Sequence, residues 1–283
     1  MQMARETGNR FLLLSTYHWA LLGYGGLGEY DEALRALEEL SRFGPEIGAR
    51  HFVAMVQNHR GWLYRELCNF EKALHYDMEG VRESQRLEDP ECEIFSLLNC
   101  VGDCIGLGDY NKAREYLNLV KEKRELKQYQ VRGWRYTMHL TAYESELARI
   151  EGEFDKAIES AEETLSQGEK TQAKKYMAIG WRLKGEALIG MGRLEEAVAC
   201  LEKARELADV MSHPPLMWKS RYLLGRVQRE KGRLDEAKTL FEGAQAIIEK
   251  MASKVSDAEV RATFLASQPV QAVHAALEQC AVR

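Results

Sequence analysis

Apolar residues recur three and four positions apart along most of this chain, the spacing of one buried helix face rather than of a strand. The pattern is also periodic on a longer scale. GLGEYDEALRAL (26–37) returns as ELCNFEKALHYD (66–77), GLGDYNKAREYL (106–117), IEGEFDKAIESA (150–161), GMGRLEEAVACL (190–201) and EKGRLDEAKTLF (230–241). The alanines in register are Ala33, Ala73, Ala113, Ala157, Ala197 and Ala237, separated by 40, 40, 44, 40 and 40 residues. A fixed period of this size predicts stacked helical units. The longer interval adds four residues, about one helical turn. KEKRELKQYQVRGWRY (121–136) is accordingly expected to continue as helix past the usual boundary.

Each unit predicts two helices joined by a tight turn. Gly28, Gly108, Gly152, Gly192 and Gly232 end the first helix, with Cys68 as the departure; glycine closes a helix in the left-handed conformation at least cost. A large apolar residue follows: Tyr30, Phe70, Tyr110, Phe154, Leu194 or Leu234. Asp31, Asn111, Asp155 and Asp235 are then expected as N-caps, with Glu71 and Glu195 in the other copies. The alanine two residues later predicts close helix approach. The first helices carry an apolar stripe, seen in Trp181, Lys184, Gly185 and Leu188, in Gly61 and Tyr64, and in Leu224 and Gly225. FGPEIG (43–48), EDPE (88–91), QGEK (167–170) and SHPPL (212–216) predict breaks between units. Near the end, Ser256 is expected to cap one helix and Pro269 to restart another.

These columns resemble the tetratricopeptide repeat. Trp181, Gly185, Gly192, Leu194 and Ala197 fall on its signature positions, as do Gly225, Gly232, Leu234 and Ala237. The resemblance covers about residues 10–253, with a unit of 40 residues rather than the family's usual 34 and no signature Trp in the first four copies. The long unit is similar to those of bacterial signalling regulators and kinesin light chains. SDAEVRATFLASQPVQAVHAALEQ (256–279) resembles the closing segment of helical regions in large bacterial signal-transduction ATPases, cyclases and kinases. The expected fold is all-α: a right-handed α-solenoid of six helix-turn-helix repeats over 1–255, closed by a helical cap over 256–283. The sequence enters its first repeat helix almost at once, as expected of a domain taken from a larger protein.

Composition narrows the function. Apolar residues make up 45% and charged residues 29%, with five prolines, an ordinary globular and helix-favouring balance. The net charge of −5 argues against a general nucleic-acid or membrane-surface binder. Six scattered cysteines without CxxC read as free thiols of a reducing, cytoplasmic compartment. No apolar run reaches the roughly 20 residues of a bilayer span.

Catalytic signatures do not survive inspection. Gly23, Gly25 and Gly28 form a G-x-G-x-x-G, but no second strand ends in an acidic residue as dinucleotide binding requires. Gly28 also belongs to the repeat column, and G-x-G returns at Gly106 and Gly190. Cys100 and Cys104, with Cys92 eight residues before Cys100, fall where small apolar residues belong. HExxH, GxSxG and GxxxxGK[ST] are absent, and His75 near Asp77 has no nucleophile. The chain is expected to be non-catalytic, with no cofactor and no bound metal.

The resemblance points instead to a concave groove lined by the first helices. Carried over position by position, it implies His18; Asn58, Trp62 and Arg65; His139, Glu146 and Arg149; Arg182 and Glu186; and Tyr222, Arg226 and Arg229 as ligand-binding residues. Copy three offers Leu98, Gly102 and Ile105 there. The arginines suit carboxylates of an acidic protein or peptide; equally, Arg149 with Glu146 and Arg182 with Glu186 have the spacing of surface ion pairs. Trp62 is either an exposed anchor or core. The function expected is a protein- or peptide-binding scaffold or sensor within a larger bacterial signalling protein. The alternative is a regulatory domain holding a small-molecule inducer in the groove. An open charged channel favours the first, and a closed apolar pocket of a few hundred Å³ the second. Self-association is a further possibility, to be sought near 121–136.

Overall fold

A computed structural model describes residues 9–126, Tyr129 and 133–281, without the side chains of 133–135 and 281. Its described residues form fourteen helices and no strand. They are α1 (Arg10–Gly26), α2 (Tyr30–Glu46), α3 (Arg50–Glu66), α4 (Phe70–Arg86), α5 (Pro90–Leu107), α6 (Tyr110–Arg124), α7 (Gly133–Ile150), α8 (Phe154–Thr171), α9 (Lys174–Gly190), α10 (Leu194–Met211), α11 (Pro214–Glu230), α12 (Leu234–Ser253), α13 (Ala258–Ala266) and α14 (Gln268–Ala281). The architecture is an all-α solenoid of helical repeats. None of the described helices is long and apolar enough to cross a membrane.

The turn within each repeat explains the glycine column. Gly28, Gly108, Gly152, Gly192 and Gly232 have φ between 72° and 79°, and Cys68 adopts the same left-handed form at 53°. A side chain at Gly192 would meet open space. Gly192→Ala therefore tests the backbone alone: it should destabilise the protein by about 1–2 kcal/mol, read as a lower denaturant midpoint, and an unchanged midpoint refutes this account of the column.

One residue after the glycine suffices to start the second helix. Its N–H closes the first helix while its C=O opens the second: Glu29 N donates to Tyr24 O at 2.8 Å, and Glu29 O accepts from Ala33 N at 2.9 Å. The same pair of bonds recurs at Asn69, Asp109, Glu153, Arg193 and Arg233. The second helices thus begin at the large apolar residue, one position after the cap and two after the glycine. This corrects the expected caps: Asp31, Glu71, Asn111, Asp155, Glu195 and Asp235 lie inside the first turn. Asn69 and Asp109 are the side-chain caps, each accepting from a lysine amide at 3.2 Å. Acidic residues in the first turn still suit the positive helix end.

Other boundaries differ as well. QGEK lies inside α8, which ends at Thr171 before left-handed Gln172. Gly168 is there for contact, since an added Cβ would sit 3.0 Å from Met177 Cγ. Gly44 and Pro45 belong to α2, whose break comes at Gly48 with φ 66°. Asp89 and Pro90 do open α5 as expected. The helix expected to run through 121–136 instead ends at Arg124, and the next begins at Gly133; part of that stretch lies outside the described residues. Asp257, not Ser256, caps α13, accepting from the amides of Glu259 at 2.9 Å and Val260 at 3.0 Å. Pro269 lies in the first turn of α14, as expected.

The chain divides into two units. The first contains α1–α6 with residues 254–260, and the second α7–α12 with residues 261–281. The division falls in the one interval longer than 40 residues. The six register alanines, three in each unit, are fully buried. In the second unit Ala148, Ala157 and Ala187 join α7, α8 and α9. An added Cβ at Gly185 would lie 2.7 Å from Leu201 Cγ, and one at Gly225 2.5 Å from Phe241 Cε1. Ala276 of α14 packs with Ala237 and Phe241 of α12. In the first unit Lys254 pairs with Glu29, and the Ser256 amide donates to Asp31 at 3.0–3.1 Å.

First helices of successive repeats adjoin directly: α1 with α3, α3 with α5, and α9 with α11. The expected groove residues lie on these first helices. None of the six cysteines is in a disulfide, and Cys100 and Cys104 are fully buried. Gly23 and Gly25 lie in α1, so the glycine motif is the end of a helix and its turn.

Candidate functional site

In the first unit, the implied groove residues fall into two groups. The ring of His18 lies 5.2 Å from that of His59 and 5.6 Å from Phe52. Trp62 is half-buried; its N–H donates to Glu66 Oε1 at 2.7 Å, and its ring covers Gly25. Asn58 and Arg65 instead turn inward to a polar network. Arg65 donates to Asn99 Oδ1 at 2.7 Å, Asn99 O at 3.1 Å and Asp103 Oδ1 at 3.2 Å, and lies 3.6 Å from Asp77 Oδ2. Asn99 donates to Asp77 Oδ1 at 2.9 Å, and Asn58 reaches the same oxygen at 3.5 Å.

Asp77 and Asp103 are both fully buried. Gly61 makes the room, because an added Cβ would overlap the Asp77 carboxylate. Burial, then the neighbouring Asp103 charge, pushes the Asp77 pKa far up. Burial raises Asp103 to about 6 although Arg65 and the hydrogen bond with Asp77 oppose it. Both carboxyls are thus held above the usual carboxylate range, and one guanidinium serves the pair. The sequence reading assigned Asn58 and Arg65 to the groove but did not single out Asn99 or Asp103. Their polar i, i+4 spacing inside the apolar SLLNCVGDCIGL was the available signal.

In the second unit, Arg149, Arg182 and Glu186 come together. Arg182 pairs with Glu186, and Arg149 Nε lies 3.3 Å from Glu186 Oε2. Two guanidinium groups thus share one carboxylate across α7 and α9. Burial opposes the charge on Arg182, but Glu186 and then Glu146 outweigh it and raise its pKa. His139 packs its ring 4.9 Å from that of Tyr176. Arg226 is exposed and stands 5.9 Å above the Tyr222 ring, which lies 6.0 Å from Phe241. Arg229 donates to Gln279 Oε1 at 2.6 Å. An open cleft of about 290 Å³ is lined by Ile189 of α9 with Arg226, Val227, Arg229 and Glu230 of α11. The sequence reading named the two arginines but neither Ile189 nor Glu230. Chemically, this surface offers guanidinium donors beside small apolar walls.

Comparison with known proteins agrees with the fold. Residues 176–250 match the tetratricopeptide repeat family model, and tetratricopeptide repeats mediate protein–protein interaction and scaffolding. BtubC (BKLC) from P. vanneervenii is similar at 17% identity and a TM-score of 0.52, over 79% of this chain and 91% of that one; this likeness concerns the fold alone. A signal transduction ATPase with numerous domains and a tetratricopeptide repeat sensor, from Pyrococcus horikoshii, has 18% identity and a TM-score of 0.45, over 90% of this chain and 39% of that one. The TPR2AB domain of yeast Sti1 in a complex with Hsp90 has 13% identity and a TM-score of 0.37, over 95% of this chain and 98% of that one. No curated protein sequence matches the chain.

Proposed function

We propose that this chain, whose residues 176–250 are tetratricopeptide repeats, is a non-catalytic recognition module that takes acidic peptide segments or chain termini. The surface assigned to this role runs along the first helices α7, α9 and α11. One observation carries the reading: exposed Arg226 and its neighbour Arg229 stand at an open cleft with short apolar walls. A carboxylate entering there meets guanidinium donors that pair with it bidentately. Ile189, partly exposed, offers contact to an adjoining aliphatic side chain. The openness and charge of the cleft suit a peptide better than an apolar inducer, which needs enclosure. Arg149 and Arg182, already engaged with Glu186, are not its free contacts. We assign the module to a cytoplasmic bacterial signalling protein as its sensor or scaffold part. Nucleic acid is not its partner.

Fluorescence anisotropy with labelled acidic, neutral and basic hexapeptides tests this. The acidic peptide should bind selectively and lose affinity with added salt. Arg226→Glu should weaken it at least tenfold, about 1.4 kcal/mol. Equal affinity in Arg226→Glu, or equal binding of the neutral peptide, sinks the assignment.

A further inference from the structure

A second cluster of reactive groups lies in the first unit, away from the carboxylate pair. His51 Nδ1 is 2.7 Å from Asp89 Oδ2 and 3.6 Å from Cys92 Sγ, and the three donor atoms all lie within 4.8 Å of one another. His51 is the second residue of α3; Asp89 is the N-cap of α5 and Cys92 its third residue. The cluster therefore joins the first turns of the first helices of repeats two and three.

Repeat packing does not require it. Where copy three has Cys92, the other copies have Leu12, Phe52, Tyr136, Tyr176 and Leu216, all large and apolar. No other copy has histidine at the place of His51 or a carboxylate at the place of Asp89. The small thiol leaves room that the His51 ring and the Asp89 carboxylate fill.

We propose that His51, Asp89 and Cys92 bind one borderline divalent cation of the zinc type, clasping repeat two to repeat three. Imidazole, carboxylate and thiolate are the donors such a cation takes. Bonds of about 2.0–2.3 Å in a tetrahedron set donors about 3.3–3.8 Å apart. The imidazole–sulfur separation already meets this, and the imidazole–carboxylate pair must open by about 0.6 Å. Asp89 keeps its place while doing so, because its Oδ1 accepts from the Cys92 amide at 2.9 Å. Binding breaks the Cys92 S–H bond and releases that proton to solvent. Thiolate and carboxylate then balance the two positive charges, and the first turn of α5 favours both anions. Cys92 is 2% exposed, whereas the His51 side chain is 42% exposed. The cation thus enters past the histidine, where a water completes the tetrahedron.

Titration of the full chain with cobalt(II), followed by displacement with zinc(II), tests the site. The expected result is one equivalent bound with a thiolate-to-cobalt charge-transfer band that zinc abolishes. Cys92→Ser should remove the band, His51→Gln should weaken binding at least tenfold, and Cys280→Ser should change neither. Absence of the band, or its survival in Cys92→Ser, overturns the proposal. Should Cys92→Ser fail to fold, His51→Gln decides, since its ring is partly exposed: wild-type affinity there overturns the site. Peptide binding by the arginine surface of the second unit is read separately and does not enter this result.

Discussion

Arg65→Met should lower the stability of the first unit by about 3–5 kcal/mol, the cost of leaving a buried ion network without its partner. Arg65 is the guanidinium serving Asp77 and Asp103, both fully buried, and it also bonds the side chain and carbonyl of Asn99. Without it, two carboxylates face each other across a helix interface in a low-dielectric interior. A loss of this size is a large share of the roughly 5–15 kcal/mol that holds a domain together. Amide hydrogen exchange should therefore show lost protection in α3, α4 and α5. The triple variant Arg65→Met/Asp77→Asn/Asp103→Asn removes the charges together and should recover most of the loss. A midpoint for Arg65→Met within about 1 kcal/mol of wild type contradicts the network as described, since surface substitutions cost about half that.

The same pair predicts the second large effect, a dependence on pH with an unusual sign. Asp103 titrates near pH 6 in the folded protein against an ordinary 3.8, and Asp77 is raised in the same direction. A carboxyl whose folded pKa is raised holds more protons folded than unfolded. Its stabilisation is complete below about pH 4 and is lost as pH rises through about 6. Each pKa unit is worth about 1.4 kcal/mol, so the pair should shift stability by a few kcal/mol across that window. The charged or titratable groups facing it are Arg65 from α3 and Cys100 from α5; burial, then the Asp77 and Asp103 charges, holds the Cys100 thiol well above its usual range. Denaturant midpoints at pH 5 and 7.5 should show the first unit more resistant at the lower value. The difference should shrink in Asp77→Asn, which leaves Asp103 alone with Arg65. A first unit more stable at pH 7.5, or an undiminished difference in Asp77→Asn, refutes this account of the buried carboxyl pair.

Much of the architecture was legible because it depends on local, repeated rules. The left-handed glycine column and the buried alanines follow from short-range spacing. Cys68, the one departure in the glycine column, takes the left-handed form too, because its neighbours fix the turn. Boundaries were less legible where one signal has two uses. Glycine at 168 and at 44 marks close contact with Met177 and Val53 rather than a break. The expected caps were displaced because one residue serves both helices of the turn, through its N–H and its C=O.

The sequence by itself determined an all-α chain of paired helices and the registers at which they nest, since these follow from backbone sterics and the helical period. Only the tertiary structure decided which charged groups answer one another. Arg65 reaches across 38 residues to Asp103, and Arg149 takes Glu186 of the neighbouring repeat rather than Glu146 of its own helix. His51 finds Asp89 and Cys92 one repeat away. Long side chains sample a sphere wider than one helical turn, and which partner they meet depends on how the helices stack, information no local spacing carries.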